Sequence, residues 1–179
     1  MKKSLFVLGL GMLLIYAGCS TTSVRFDYER EVDFSKFKTF DFFPVPESLV
    51  ENPLVIKRIG KAIIQEMEAK GLTHDESADI LIAIHTDVKD KVNVTSYGYS
   101  YAPYYQYGYW GGGGYGGTTV SQYEEGTLII DFVDNAEDEL VWRGEASKAL
   151  PSNPSAQQID GIIDEVVVKI LANYPPSGK

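Results

Sequence analysis

The chain has 179 residues, a formal net charge of −9 and a single cysteine, and 44% of its residues are hydrophobic. This length suffices for one domain with a real hydrophobic core. The negative charge repels phosphate backbones, so we expect no nucleic acid partner. One cysteine excludes an intramolecular disulfide, and lipidation of its thiol would also exclude a cysteine-based metal site.

The first 18 residues, MKKSLFVLGLGMLLIYAG, have the order of a secretory signal peptide. Two lysines precede an apolar run of 14 residues from Leu5 to Gly18, whereas a membrane-spanning helix needs about 20. The following "AGC" resembles the end of bacterial lipoprotein signals, in which signal peptidase cuts before the cysteine and its thiol receives diacylglycerol. The alternative is a plain signal peptide cut near Ala17, with Cys19 incidental.

If Cys19 is lipidated, we expect the mature chain to bind a membrane through this lipid anchor. Several acyl chains, each contributing about 0.8 kcal/mol per buried CH₂, would hold residues 19–22 to a membrane as a lipidated tether. Removing Lys2 and Lys3 takes the net charge from −9 to −11, so anionic lipid adds no attraction. Ser20 after the cysteine favours sorting to the outer membrane. The tether "STTS" lacks the acidic run of some surface-exported lipoproteins, so we expect the periplasmic face of the cell envelope.

Two strands and a helix follow the tether. Alternating apolar and polar residues predict strands in "SVRFDYER" (23–30) and "FKTFDFF" (37–43). Asn52 as N-cap, Pro53 as the first helical residue and Gly71 as a left-handed C-cap predict a helix over 53–70. Apolar residues at helical spacing give this helix one stripe: Val55, Ile59, Ala62, Ile63 and Met67.

Three further strands and a second helix complete the pattern. "ADILIAIHTDV" (78–88) is apolar on both faces at its start, which indicates a central strand. "EGTLIIDFVD" (125–134) and "ELVWRGEASKAL" (139–150) flank the short polar turn "NAED" and predict an antiparallel hairpin. Asn153 and Pro154 predict the start of the last helix, which two prolines end.

This order of elements predicts an α+β fold: a two-layer sandwich of an antiparallel sheet with two amphipathic helices on one face. One domain would span residues 23–175, with a Tyr/Gly-rich insertion at 96–122. The other face of the sheet is partly polar and would need a cover or a partner. Asp131 and Arg143 would form a cross-strand ion pair in the hairpin, and Trp142 would lie in the core.

The stretch "SYGYSYAPYYQYGYWGGGGYGG" (96–117) holds eight tyrosines, eight glycines and no charge. Tyrosine offers a flat face and a hydroxyl at small rotamer cost, as in adaptable binding loops. We therefore take its aromatic residues as candidate contacts for a glycan or an envelope protein: Tyr97, Tyr99, Tyr101, Tyr104, Tyr105, Tyr107, Tyr109, Trp110 and Tyr115. The alternatives are a connecting loop without a binding role between two strands, a cover for the open sheet face, or a segment that self-associates.

No pattern in the sequence indicates catalysis or a cofactor. The two histidines, His74 and His85, lack the HxH, HxxxH or CxxC spacing of a metal site and are expected at the surface. Carboxylates such as Asp131 and Glu145 could face each other across the hairpin, but acid–base work would also require a cleft that raises one pKa. We expect a protein that is no enzyme and needs no metal or cofactor.

The assembled motifs resemble a known family. They are "DYEREVDFSKFKTFDF", "NPLVIKRIGKAIIQEMEAKGL", "ADILIAIH" and "YEEGTLIIDFVDNAEDELVWRGEAS". Together they are similar to the bacterial lipoprotein family known as domain of unknown function 4136, over essentially the whole mature chain. The resemblance implies an exported α+β lipoprotein without an assigned activity. The expected function is a membrane-anchored, non-catalytic structural or binding role in the envelope; the alternative is an accessory subunit of an envelope assembly that docks through its sheet.

Overall fold

A computed structural model describes residues 22–44, 52–97 and 117–176. Within them lie six strands and two α-helices. The order is β1 (Ser23–Tyr28), a 3₁₀ helix (Phe34–Lys36), β2 (Thr39–Phe42), α1 (Pro53–Ala69), β3 (Thr73–His74), β4 (Ile80–Tyr97), β5 (Gly117–Asp134), β6 (Glu139–Leu150) and α2 (Ala156–Leu171). This confirms the α+β class.

The six strands form one mixed sheet in the order β1-β6-β5-β4-β2-β3. The prediction of an antiparallel sheet is therefore wrong at one side, since β2 runs parallel to both β4 and β3. The reason is the connection: α1 lies between β2 and the strands that follow it, and a helical crossover returns the chain in the same direction. The predicted β5–β6 hairpin is confirmed as antiparallel.

Strands β4 and β5 are longer than the sequence indicated. They pair without a break from Ile80↔Asp134 to Tyr97↔Gly117, so regular strand continues into both ends of the range 96–122 predicted as an insertion. Strand β6 accompanies β5 only as far as Leu150↔Glu124. Beyond that point seven residue pairs, Lys91↔Tyr123 to Tyr97↔Gly117, form a two-stranded ribbon, roughly 23 Å long at about 3.3 Å per residue.

Each helix buries apolar residues at helical spacing, although Val55, which the sequence places in the α1 stripe, is only half-buried. Ile59, Ala62, Ile63 and Met67 of α1 are buried, as are Ile163, Val166, Val167, Ile170 and Leu171 of α2. These side chains share one core cluster with sheet residues that include Ile80, Ile130, Phe132 and Trp142. The expectation that Trp142 lies in the core is confirmed, since its side chain is fully buried.

The helix ends agree with the sequence in part. Gly71 has φ +89° and follows α1 as a left-handed glycine, and its N–H donates to Glu68 O at 2.9 Å. Asn52 is the N-cap of α1, but its side chain makes no capping hydrogen bond. Asn153 was predicted as the N-cap of the second helix, but Ser155 takes that place, in a reciprocal capping box with Gln158.

A bulge shifts the side-chain alternation of β6. The register slips between Phe132 and Val133, so that Leu140, and not Val141, lies opposite Val133. As a result Val141 is 2% exposed and Leu140 is 48% exposed, whereas strict alternation placed Leu140 with Trp142. An extra residue in one strand inverts the faces on one side of it.

Helix α2 sits against β6 where that strand has no side chain. A Cβ built at Gly144 would overlap Ile170 of α2 and the Trp142 ring. Both of those side chains are fully buried. Gly144 thus permits a close approach of α2 to β6.

Neither described helix is long and apolar enough to cross a bilayer. Cys19, the predicted lipidation site, lies outside the described residues.

We expect Gly144→Ala to lower the free energy of unfolding by about 1–3 kcal/mol, because the added methyl must displace packed core atoms. Gly161→Ala in α2 is the matched control: its Cβ meets nothing within 4 Å. There we expect a gain of up to about 1 kcal/mol from helix propensity. Urea unfolding measures both, and equal effects of the two substitutions would contradict the close approach.

Candidate functional site

An apolar groove with a volume of about 630 Å³ lies between the first turns of the two helices and the sheet. Val55 and Ile59 of α1 form one wall, and Ile159, Ile162 and Val166 of α2 form the other. Strands β4, β5 and β6 supply the floor: Thr86, Asp87, Val88, Gly126, Thr127, Leu128, Ala146, Lys148 and Leu150. The groove therefore presents mainly aliphatic surface.

The floor and one wall of this groove differ from the tightly packed core. The floor includes two small residues, Gly126 and Ala146, and the Leu150 side chain packs over Gly126, where a Cβ would lie 3.3 Å from Leu150 Cδ1. The α2 side chains lose burial toward its amino-terminal end: Ile170 and Leu171 are 0% exposed, whereas Ile159 and Ile162 are only half-buried. The amino-terminal half of α2 thus covers the sheet less closely than the rest.

A charged cluster lies beside the groove. Lys148, which is 8% exposed, donates to Glu165 Oε2 at 2.5 Å. Lys169 Nζ and Thr22 Oγ1 both donate to Glu165 Oε1, at 2.7 and 2.9 Å. These hydrogen bonds, led by that from Lys148, lower the pKa of Glu165 from its ordinary value of 4.5 to about 2. The carboxylate stays ionised and neutralises a buried ammonium group.

The same cluster fixes the point where the chain enters the domain. Thr22 is the first described residue, and its hydroxyl is held by Glu165 on α2. The next residue, Ser23, pairs with Ser147 beside Lys148. The amino-terminal tether therefore leaves the domain next to a residue that lines the groove.

The other face of the sheet carries the predicted cross-strand ion pair. Asp131 lies directly opposite Arg143, and the guanidinium donates through Nε and Nη2 to the two carboxylate oxygens, each at 2.6 Å. His85 Nε2 lies 3.5 Å from Asp131 Oδ2. Hydrogen bonding to Asp131 raises the pKa of Arg143. The suggested pairing of Asp131 with Glu145 is wrong, because Glu145 lies opposite Ile129 and Arg25.

The two histidines do not converge. His74 lies on the edge strand β3, and its Nε2 is 3.0 Å from Asp41 Oδ1. His85 lies on β4 and contacts Asp131 of β5. Within the ranges that the structure covers, no three His, Cys, Asp or Glu side chains approach closely enough to hold a metal ion.

A small polar depression near the β5–β6 turn has a structural explanation. Asp79 accepts hydrogen bonds from the backbone N–H groups of Lys38 and Thr39 at 2.7 and 3.0 Å. Asp134 accepts from Ala136 N at 2.9 Å and from Lys36 Nζ at 2.7 Å. Both carboxylates thus hold neighbouring loops to the ends of the inner strands β4 and β5.

The β4–β5 ribbon carries the Tyr/Gly segment at its tip. Tyr97 is the last residue of β4, and the other eight candidate contact residues lie outside the described ranges. Val88, Val92 and Val120 near or on the ribbon are 57–59% exposed. They occupy even-numbered positions, on the face that the groove floor continues.

Sequence reasoning did not find the groove. The sequence patterns place most of its apolar residues on helix stripes and strand faces. One signal in the sequence is the change along β4 from isoleucine to Thr86 and Asp87, which indicates that apolar cover ends there. The distance between two helices over a sheet depends on packing and has no local pattern.

Comparison with known proteins assigns the chain to a family. Residues 24–176 match the model of "Domain of unknown function (DUF4136)", and the chain belongs to this family. No curated protein matches the chain.

Two solved structures share the fold. A PDZ domain protein from Parabacteroides distasonis is 19% identical with a TM-score of 0.58; the match covers 89% of this chain and 37% of that protein. The chain thus spans about a third of that protein's length. PelC from Paraburkholderia phytofirmans, crystallised as a dodecamer, is 10% identical with a TM-score of 0.50, over 85% of this chain and 96% of PelC.

We expect Glu165→Gln to destabilise the protein at neutral pH, because Lys148 loses its buried partner. A lowered folded-state pKa contributes stability above pH 4.5 that is lost as the pH falls toward about 2. The variant should therefore lose less stability than the wild type over that range, measured by urea unfolding at several pH values. Glu68→Gln, at an exposed site on α1, is the control. Parallel profiles for wild type and Glu165→Gln would contradict the assignment.

Proposed function

We propose that this chain is a lipid-anchored, non-catalytic binding protein of the bacterial cell envelope, held through Cys19 at the periplasmic face of the outer membrane. The observation that carries a binding role is the apolar groove beside the tether. Its charged lining residues are each paired, Lys148 with Glu165 and Asp87 with Lys89. A surface of aliphatic walls with neutralised charges suits apolar contact better than proton transfer.

The proposal includes a two-layer arrangement in which both helices cover one face of the sheet. Support comes from the core cluster, which joins the stripes of α1 and α2 to even-numbered residues of β4 and β5. Odd-numbered residues include Asp131 and His85, which contact each other on the charged face. One layer of helices would leave that charged face available for contact.

The Tyr/Gly segment is the proposed contact surface for a glycan or an envelope protein. Its support is its position: the ribbon carries it roughly 23 Å beyond the end of β6, joined at Tyr97 and Gly117. Aromatic rings at the end of a projecting ribbon can stack on a sugar face or a partner surface.

A second candidate is an accessory subunit of an envelope assembly that docks through its sheet. The ribbon favours it, because neither strand has a third-strand neighbour beyond Leu150↔Glu124 within the described residues. Unpaired strand edges beside exposed valines are templates for another chain. PelC, whose fold is similar, assembles as a dodecamer, and we extend that only as a proposal.

We expect the chain isolated from envelopes to begin at Cys19 and to carry a lipid there, since cleavage and acylation occur at the same residue. Mass spectrometry of the amino-terminal peptide measures both. Cys19→Ala should lack the lipid and should not be cut at that site. A free Cys19 thiol on the exported chain would contradict the anchor.

Replacing residues 98–116 by Asn-Gly should leave the thermal midpoint nearly unchanged, because the ribbon can close in a two-residue turn. In-cell crosslinking and pulldown of glycan or envelope proteins should lose their products. The matched control keeps this ribbon closure but adds Val92→Lys, which charges the ribbon's apolar face. Products that survive the replacement but disappear with the added lysine would favour docking through the sheet, and unfolding of the first variant would make the segment a structural cover.

A further inference from the structure

We propose that the apolar groove holds one acyl chain of the lipid attached to Cys19. This inference rests on the proposed lipidation and adds a place for one of the chains, inside the protein and not in the bilayer. The other acyl chains remain available to hold the membrane.

The chemistry of the groove fits an unbranched hydrocarbon chain. Its volume of about 630 Å³ falls within the range of roughly 300–1,000 Å³ usual for ligand sites. Val55, Ile162 and Leu128 supply aliphatic surface from α1, α2 and β5. The floor adds Gly126, Ala146 and the aliphatic side chain of Leu150. Transfer of apolar chain from water into such a site is favourable.

The position of Thr22 places the start of the described domain close to this groove. Thr22 Oγ1 donates to Glu165 at 2.9 Å, and Glu165 accepts from Lys148, a lining residue of the groove, at 2.5 Å. Cys19 precedes Thr22 by three residues, and three residues span at most roughly 10 Å. The attachment point of the lipid therefore lies within a short reach of the groove.

Charge favours the protein's own lipid over a free one. Lys148 is the one cation among the described lining residues, and Glu165 already neutralises it. The anionic headgroup of a fatty acid or an acidic phospholipid would find no unpaired cation there, on a chain of net charge −9. An acyl chain joined through Cys19 brings no such headgroup, and its tether gives it a high effective concentration at the groove.

The test uses the full chain in cells fed a fatty acid that carries a photoactivatable diazirine. After irradiation, we expect tryptic mass spectrometry to join the Cys19 lipid to peptides that contain Val55, Ile159 or Ile162. Thr86→Trp and Val55→Trp fill the groove from the sheet and from α1, so each should lose these crosslinks. Asn93→Trp, an exposed position on the opposite face of β4, should keep them. Urea unfolding shows which variants fold, and two blocking variants guard against the loss of one.

Three results would overturn the inference while lipidated Cys19 is still found. The first is crosslinking of the Cys19 lipid to membrane lipids alone. The second is equal labelling of groove peptides in Cys19→Ala, which would make a free phospholipid the occupant. The third is a groove crosslink between ¹⁴N- and ¹⁵N-labelled molecules, which would make a second copy the donor. Absence of any lipid on Cys19 would instead refute the proposed function.

Discussion

The contact between α2 and β6 at Gly144 is the constraint on which the rest of this structure depends. Because that residue has no Cβ, Ile170 and the Trp142 ring pack where a side chain would stand. The carboxyl-terminal half of α2 is thereby held on the sheet, with Ile170 and Leu171 fully buried. The amino-terminal half covers the sheet less closely, and the groove lies there. The close packing at one end of α2 and the open groove at its other end both follow from the way this helix packs on the sheet.

The position of α2 on the sheet also determines how the protein accommodates a buried charge. Lys148 points from β6 into the layer between sheet and helix, where an unpaired ammonium would cost several kcal/mol. Glu165, less than two turns before Ile170 on α2, lies within 2.5 Å of it. The same carboxylate accepts from Thr22, so one residue of α2 links the last strand to the start of the domain. The Glu165 side chain therefore both neutralises Lys148 and holds Thr22 at the start of the domain.

The surfaces of the molecule divide by chemistry. The groove and the valines of the ribbon are apolar, whereas Asp131 of β5 is contacted by both Arg143 and His85. A bidentate arginine–carboxylate pair in a partly buried setting fixes two strands in register, and it needs no catalytic explanation. These features agree with a binding role in which contacts are made by apolar surface near the tether and by the projecting ribbon.

The two helices, the β5–β6 hairpin, the Asp131–Arg143 pair and the family could be predicted from the sequence, because each follows from local periodicity, turn chemistry or a contiguous motif. Local patterns did not reveal that β2 is parallel to β4, that a bulge exposes Leu140, or that Ser155 starts α2. The groove and the hydrogen bonds that link Thr22 through Glu165 to Lys148 became visible only in the folded molecule. These join residues up to 143 positions apart in sequence, and their distances depend on how closely a helix settles on a sheet, which no periodicity records.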